Sequence, residues 1–249
     1  MKSLPHRIDP AVCLSTAAAY LLCFFILSPL LINNVRTHLR KSRQHQLIGH
    51  FVYSLATSYL TVHIIVSGNM VKEAKSALGF STVEISFSYF ITETVTTLLI
   101  LPHTISGERM EFLHHVASSV GLFVGLYSQG AGLALCILRL FSQLSTPFLV
   151  IRLWLRGSGM KESGLYLVNF TVIVMIFFVS RIVIIPWYWR LYMYWVLARE
   201  SSLLPCAILG VVSVVLDILN IYWFYGIIVK FLEYVKMIGE RKYIPVIKL

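Results

Sequence analysis

Seven apolar runs of about twenty residues each, joined by short polar links, constrain this chain more than any other feature of its sequence. They cover residues 11–32, 47–66, 83–101, 111–128, 133–155, 165–185 and 203–231. A bilayer core about 30 Å thick takes about 20 helical residues to cross. A soluble alternative fails on composition. The chain is 57% hydrophobic and 13% charged, with a mean hydropathy of +0.78, whereas soluble domains are about 45–50% apolar and roughly a quarter charged. Too few charged side chains remain to coat a soluble fold. The reading is an all-α polytopic membrane protein of about seven transmembrane helices, with lipid as the solvent for most of its surface.

The first run has 22 residues, longer than the 7–15-residue apolar core of a cleaved signal peptide, and reads as a retained signal anchor. Arg36, Arg40, Lys41 and Arg43 follow it. This divides the chain into an anchor and basic loop (1–46), a bundle (47–231) and a charged tail (232–249). The net charge of +10 lies in the links between runs rather than on one soluble face, which speaks for membrane orientation and against nucleic acid. The side holding the first loop and the tail carries roughly twice as many Lys and Arg as the other, so the C-terminus is expected in the cytosol and the N-terminus in the lumen or outside. Cys13, Cys23, Cys136 and Cys206 have no CxxC spacing and read as small apolar residues.

Polar side chains recur at helical spacing inside the runs. Tyr89, Glu93, Thr96 and Thr97 form one stripe, and His114, Ser118, Gly121 and Gly125 a second. Arg139, Ser142, Gln143 and Thr146 form a third ahead of Pro147, which is expected to break its helix, and Ser213, Asp217, Asn220 and Phe224 a fourth. An isolated ion at mid-bilayer costs at least ~2.5–3.5 kcal/mol, so these groups are expected to face inward and pair. Glu93 and Asp217 have Arg139 and Arg181 as candidate partners, although Arg181, near the end of its run, is also expected to snorkel to the interface. Pro186, followed by Trp187, Tyr188 and Trp189, is expected to close the sixth helix in a headgroup belt. The charged set of Glu93, Arg139 and Asp217 reads first as a structural network and second as the lining of a site. The eight histidines contain no HxxxH or HxxHH cluster, and no metal is expected.

Four stretches, SYFITETVTTLL, FLHHVASSVGLFVGLYSQG, RLFSQLSTPFLVIRLWL and NFTVIVMIFFVSRIVIIPWYW, occur in an order that resembles the TLC-domain family, which includes the ceramide synthases. The third and fourth are most similar to the short TLC-domain-containing membrane proteins, and the resemblance covers 47–231. It implies that spans two to seven enclose a lipid-sized cavity with the first span outside it, and it favours the endoplasmic reticulum or the plasma membrane. The synthases' catalytic histidine pair corresponds to His114 and His115, but the aspartates that follow in the synthases correspond to Ser142 and Ser145. Serine neither orients nor charge-stabilises an imidazolium. The leading expectation is therefore a protein that binds membrane lipids and influences lipid composition. Its polar cavity lining would be Glu93, Arg139, Ser142, Gln143, Ser145, Asp217 and Asn220, with no cofactor. The alternative is an N-acyltransferase joining acyl-CoA to a sphingoid base, with His114 and His115 as catalytic groups and Glu93 or Asp217 as the orienting carboxylate. A transporter lacks support, since the two halves show no inverted repeat. The sequence leaves the oligomeric state open.

Overall fold

A computed structural model describes residues 8–27, 41–100, 109–198 and 202–242. Among these residues there are helices and turns and no strands. Residues 28–32 of the first run, Arg36 and Arg40 lie outside the described residues, as do the side chains of Lys41 and Arg43. The first helix, α1, spans Pro10–Leu22 and continues as a π turn over Cys23–Leu27. Asp9 caps it by accepting from the Ala11 amide, with Pro10 at the first helical position where no donor is needed. The chain continues through α2 (Lys41–Val66), a single-turn α3 (Met70–Ala74) capped by Asn69, and α4 (Ala77–Ile100). After these come α5 (Arg109–Ser128), α6 (Gly130–Leu140), α7 (Thr146–Gly157), α8 (Gly164–Phe177), α9 (Ile184–Leu197) and α10 (Leu203–Lys242).

Among the described residues four helical runs are long and apolar enough to cross a membrane: Leu47–Val66, Gly130–Gly157, Gly164–Leu197 and Leu203–Glu240. Of the other three expected spans, α4 with 24 residues and α5 with 20 carry polar stripes, and the apolar stretch Pro10–Ile26 is shorter. The protein is an all-α polytopic membrane protein.

Both prolines act on the helices, in different ways. Ahead of Pro147 the chain tightens into a 3₁₀ segment, Phe141–Ser145, and restarts as α7, because the proline cannot donate to the carbonyl one turn back. Pro186 does not close the sixth helix as expected. A π turn, Phe178–Val183, takes up the backbone mismatch, and α9 runs on through Pro186 to Leu197. The aromatics after it consequently split. Trp187 is exposed, whereas Tyr188 is buried and Trp189 hydrogen-bonds inward, so they form no headgroup belt. At the other end α10 passes Phe231 and reaches Lys242, extending the helix into the charged tail.

Close packing is set by small residues. Gln129 and Gly130, with φ of 53° and 52°, turn α5 directly into α6. Gly125 faces Cys136 Sγ and the Gly132 carbonyl, so α6 lies tightly on α5, while Gly121 faces Val212 and Leu209 of α10. The Gly121-x-x-x-Gly125 pair is therefore a packing seam against two neighbours. On the other flank, α1 leans on α4, where Tyr20 meets Tyr89 edge-on at 5.4 Å and Tyr53 stacks on Tyr89 at 3.6 Å. Cys13 is half-buried, Cys23, Cys136 and Cys206 are buried, and all four are free thiols.

Candidate functional site

Three cavities lie in series between the helices. A tight inner chamber of about 40 Å³ has mostly apolar walls, including Leu135, Leu138, Leu209, Val212 and Leu216. A wider vestibule of about 540 Å³ has His50, His115, Arg152, Trp223 and Lys230 in its walls. Phe90, His114, Gln143 and Arg181 border both, forming the neck between them. Arg152 and Lys230 are shared in turn with a mouth of about 380 Å³, basic on balance, where they are joined by Arg156 and Lys161 against the single carboxylate of Glu233. The lining thus grades from aliphatic to cationic along one path.

Glu93 is 1% exposed, on the stripe of α4 with Tyr89 and Thr96. It pairs with histidines, not with an arginine as expected. Its Oε1 lies 2.5 Å from His50 Nε2, and His50 Nδ1 lies 2.8 Å from the Tyr89 hydroxyl. A carboxylate only accepts, so Nε2 carries the proton. Glu93 Oε2 makes no hydrogen bond and lies 3.6 Å from His115 Nδ1. His114, one residue earlier, packs edge-on against Trp223 at 5.2 Å, and its Nδ1 is buried without a partner. The tandem pair therefore divides its roles, with His115 facing Glu93 and His114 standing at the neck.

Asp217 does pair with Arg139, as charge balance required. Trp189 Nε1 donates to its other oxygen at 2.8 Å, and Arg139 also donates to the Ser213 carbonyl at 3.3 Å. The guanidinium lies 3.7 Å above the Tyr188 ring, and the Tyr188 and Ser213 hydroxyls are 2.5 Å apart. This cluster ties α6, α9 and α10 together beside the inner chamber. Asp217 does not reach either histidine of the tandem pair within hydrogen-bond or ion-pair distance.

Arg181 departs most from expectation. It is 5% exposed and does not snorkel, because the π turn points it at the neck instead of the interface. Its Nε donates to Ser145 Oγ at 3.0 Å, Nη1 to Asn220 Oδ1 at 3.0 Å and Nη2 to Thr146 Oγ1 at 3.5 Å. Among the described residues no carboxylate lies within ion-pair distance of it.

Of the residues singled out from sequence, His114, Arg139, Ser142, Gln143 and Asn220 border the inner chamber, and His115 borders the vestibule. Glu93, Ser145 and Asp217 stand behind the wall, each bonded or ion-paired to a side chain that does line it. His50, Tyr89, Arg152 and Trp189 were missed as site residues. His50 heads a stripe of its own on α2, with Ser54, Thr57 and Thr61 buried at the same helical spacing, and that signal could have found it, whereas the role of Arg152 shows only in its bond to Tyr166 on a neighbouring helix.

The path from an apolar chamber to a basic mouth, bounded by helices that cross a membrane, defines a polytopic protein with an internal cavity graded in polarity. A family model described as the TLC domain matches residues 10–229, and the chain belongs to that family. It is similar to TLC domain-containing protein 1 of Gallus gallus, at 29% identity over 125 residues covering 49% of this chain and 48% of that protein. It is also similar to TLC domain-containing protein 1 of Mus musculus, at 27% identity over 154 residues covering 58% of this chain and 59% of that protein. The aligned regions span about half to three-fifths of these curated relatives. No solved structure matches the chain significantly.

Proposed function

We propose that this TLC-domain protein binds a membrane lipid, with the acyl portion in the inner chamber and the headgroup in the vestibule, and thereby influences the lipid composition of its membrane. The observation carrying this reading is the single gradation from aliphatic walls through a polar neck to the cationic mouth of Arg152, Arg156, Lys161 and Lys230. A site with apolar walls and a few fixed polar groups is the usual form of a small-molecule pocket. The same residues support the proposed orientation, because a basic mouth belongs on the cytosolic side, with the N-terminus opposite. The endoplasmic reticulum is the proposed compartment. The experiment is mass spectrometry of lipid retained by detergent-purified protein, together with lipid profiling of cells lacking it. A lipid held at near-stoichiometric amount and a shifted profile are expected. Protein free of lipid together with an unchanged profile would end the proposal.

One observation favours a second reading, acyl transfer from acyl-CoA to a sphingoid base. Glu93 approaches His115 and holds His50, so a buried carboxylate from another helix does what Ser142 and Ser145 cannot. Ser145 is instead bonded to Arg181 and to the Ser142 carbonyl. On this reading purified protein given acyl-CoA and sphinganine forms the amide, and a His114→Ala, His115→Ala variant does not. Equal product from both proteins removes the histidines from the chemistry.

A further inference from the structure

An arginine buried between membrane-crossing helices without a carboxylate is expensive, since removing a guanidinium from water costs several kcal/mol that neutral acceptors only partly offset. Arg181 is in that position. Its guanidinium has five N–H groups, and Ser145, Asn220 and Thr146 take three of them, one on each nitrogen. Nη1 and Nη2 each keep one N–H, and the side chain borders both the inner chamber and the vestibule. Two parallel N–H groups on one fork match the two oxygens of a carboxylate. A second group at the neck is also unsatisfied: His114 Nδ1 is buried with no hydrogen-bond partner. The backbone carrying Arg181 is a π turn, a feature that recurs at functional sites.

Resting on the lipid-binding reading, we infer that the amphiphile taken by this site is a single-chain acid, a long-chain fatty carboxylate. Its carboxylate completes the ion pair with Arg181 at the neck, and its hydrocarbon chain enters the inner chamber, whose aliphatic side chains move apart to admit it. One chain is the most that a chamber of about 40 Å³ admits between walls of Leu122, Leu135, Leu138, Leu209, Val212 and Leu216. A carboxylate fits better than a phosphate because the neck offers a single arginine, the other cations lying at the far end of the vestibule. The ligand thus supplies the counter-charge that the fold omits, and an uncharged analogue of the same length leaves the arginine unpaired.

The test measures binding of oleic acid, methyl oleate, oleyl alcohol and oleoyl lysophosphatidic acid to the full-length protein in detergent. Oleate is expected to bind about tenfold or more tighter than its ester or alcohol, the effect of one charge-assisted bidentate contact. Two variants locate the preference. Arg181→Gln removes the cation, and acid and ester should then bind alike. Asn220→Asp places a carboxylate where Oδ1 already accepts from Nη1, keeping the shape while neutralising the arginine from within. It should likewise abolish the preference for the acid while retaining the ester. If wild-type protein binds acid and ester equally, or prefers the phosphate lipid, the carboxylate assignment is overturned while the lipid-binding reading stands. If the preference survives in Asn220→Asp, Arg181 is not its source. If no single-chain lipid binds and the protein retains none on purification, both readings fail.

Discussion

Replacing Asp217 with leucine tests whether the polar cluster at α10 is held by its charge pair. In the native protein Asp217 accepts from Arg139 and from Trp189 Nε1, and the paired side chains are 14% and 11% exposed. Asp217→Leu leaves a guanidinium without its carboxylate and an indole N–H without an acceptor in a nearly dry setting. Breaking one side of a buried pair costs about 3–5 kcal/mol, which in a chain of this size lowers the melting temperature by roughly 6–20 °C. Arg139→Met alone strands Asp217 in the same way. The double variant Arg139→Met, Asp217→Leu removes both charges and puts apolar volume in their place, so it should lie far above the sum of the single losses, with a coupling of at least about 2 kcal/mol. The assay is thermal unfolding of detergent-purified protein followed by tryptophan fluorescence, completed as a double-mutant cycle. A single-variant loss under about 2 °C, or a double-variant loss equal to the sum of the singles, refutes the reasoning.

Two further perturbations follow from the packing. Glu93→Ala should cost about 3 kcal/mol by removing the acceptor of the His50 Nε2 proton, while Glu93→Gln, whose amide oxygen still accepts from Nε2, should cost less than half of that; equal melting losses would show that charge and not the hydrogen bond matters. Gly125→Ala drives a methyl into Cys136 Sγ and should cost about 1–3 kcal/mol, part of it recovered in Gly125→Ala, Cys136→Ala. Gly239→Ala, in open space within α10, should instead stabilise by about 0.5–1 kcal/mol, so opposite shifts from two glycine substitutions in helices check the seam directly.

Much of the helical framework and its inward faces was legible because both signals are local. Hydropathy over about twenty residues marks what the bilayer can solvate, and a period of 3.6 marks which side chains share a face. The stripe of Glu93 on α4 and that of Asp217 on α10 came through on this ground. So did the small-residue seam of Gly121 and Gly125, and the break near Pro147, which follows from the missing donor of one residue. What stayed hidden is partnership. Glu93 is 43 residues from His50 in sequence, and no pattern in α2 or α4 says that the two helices meet at that level. The expectation that Glu93 would seek an arginine was sound charge counting applied to the wrong neighbours.

Arg181 shows the same division within one helix. The sequence by itself determined that this chain lives in a membrane, roughly where its spans lie, though not that the sixth and seventh run on to Leu197 and Lys242, and which polar side chains had to turn away from lipid. Whether the arginine ahead of Pro186 reaches outward to headgroups or inward to a cavity depends on how its helix is rotated. The π turn over Phe178–Val183 sets that rotation, and the acceptors Ser145, Thr146 and Asn220 on other segments hold it. Local spacing fixes a side chain's place on its own helix, but only the packed bundle decides what stands opposite.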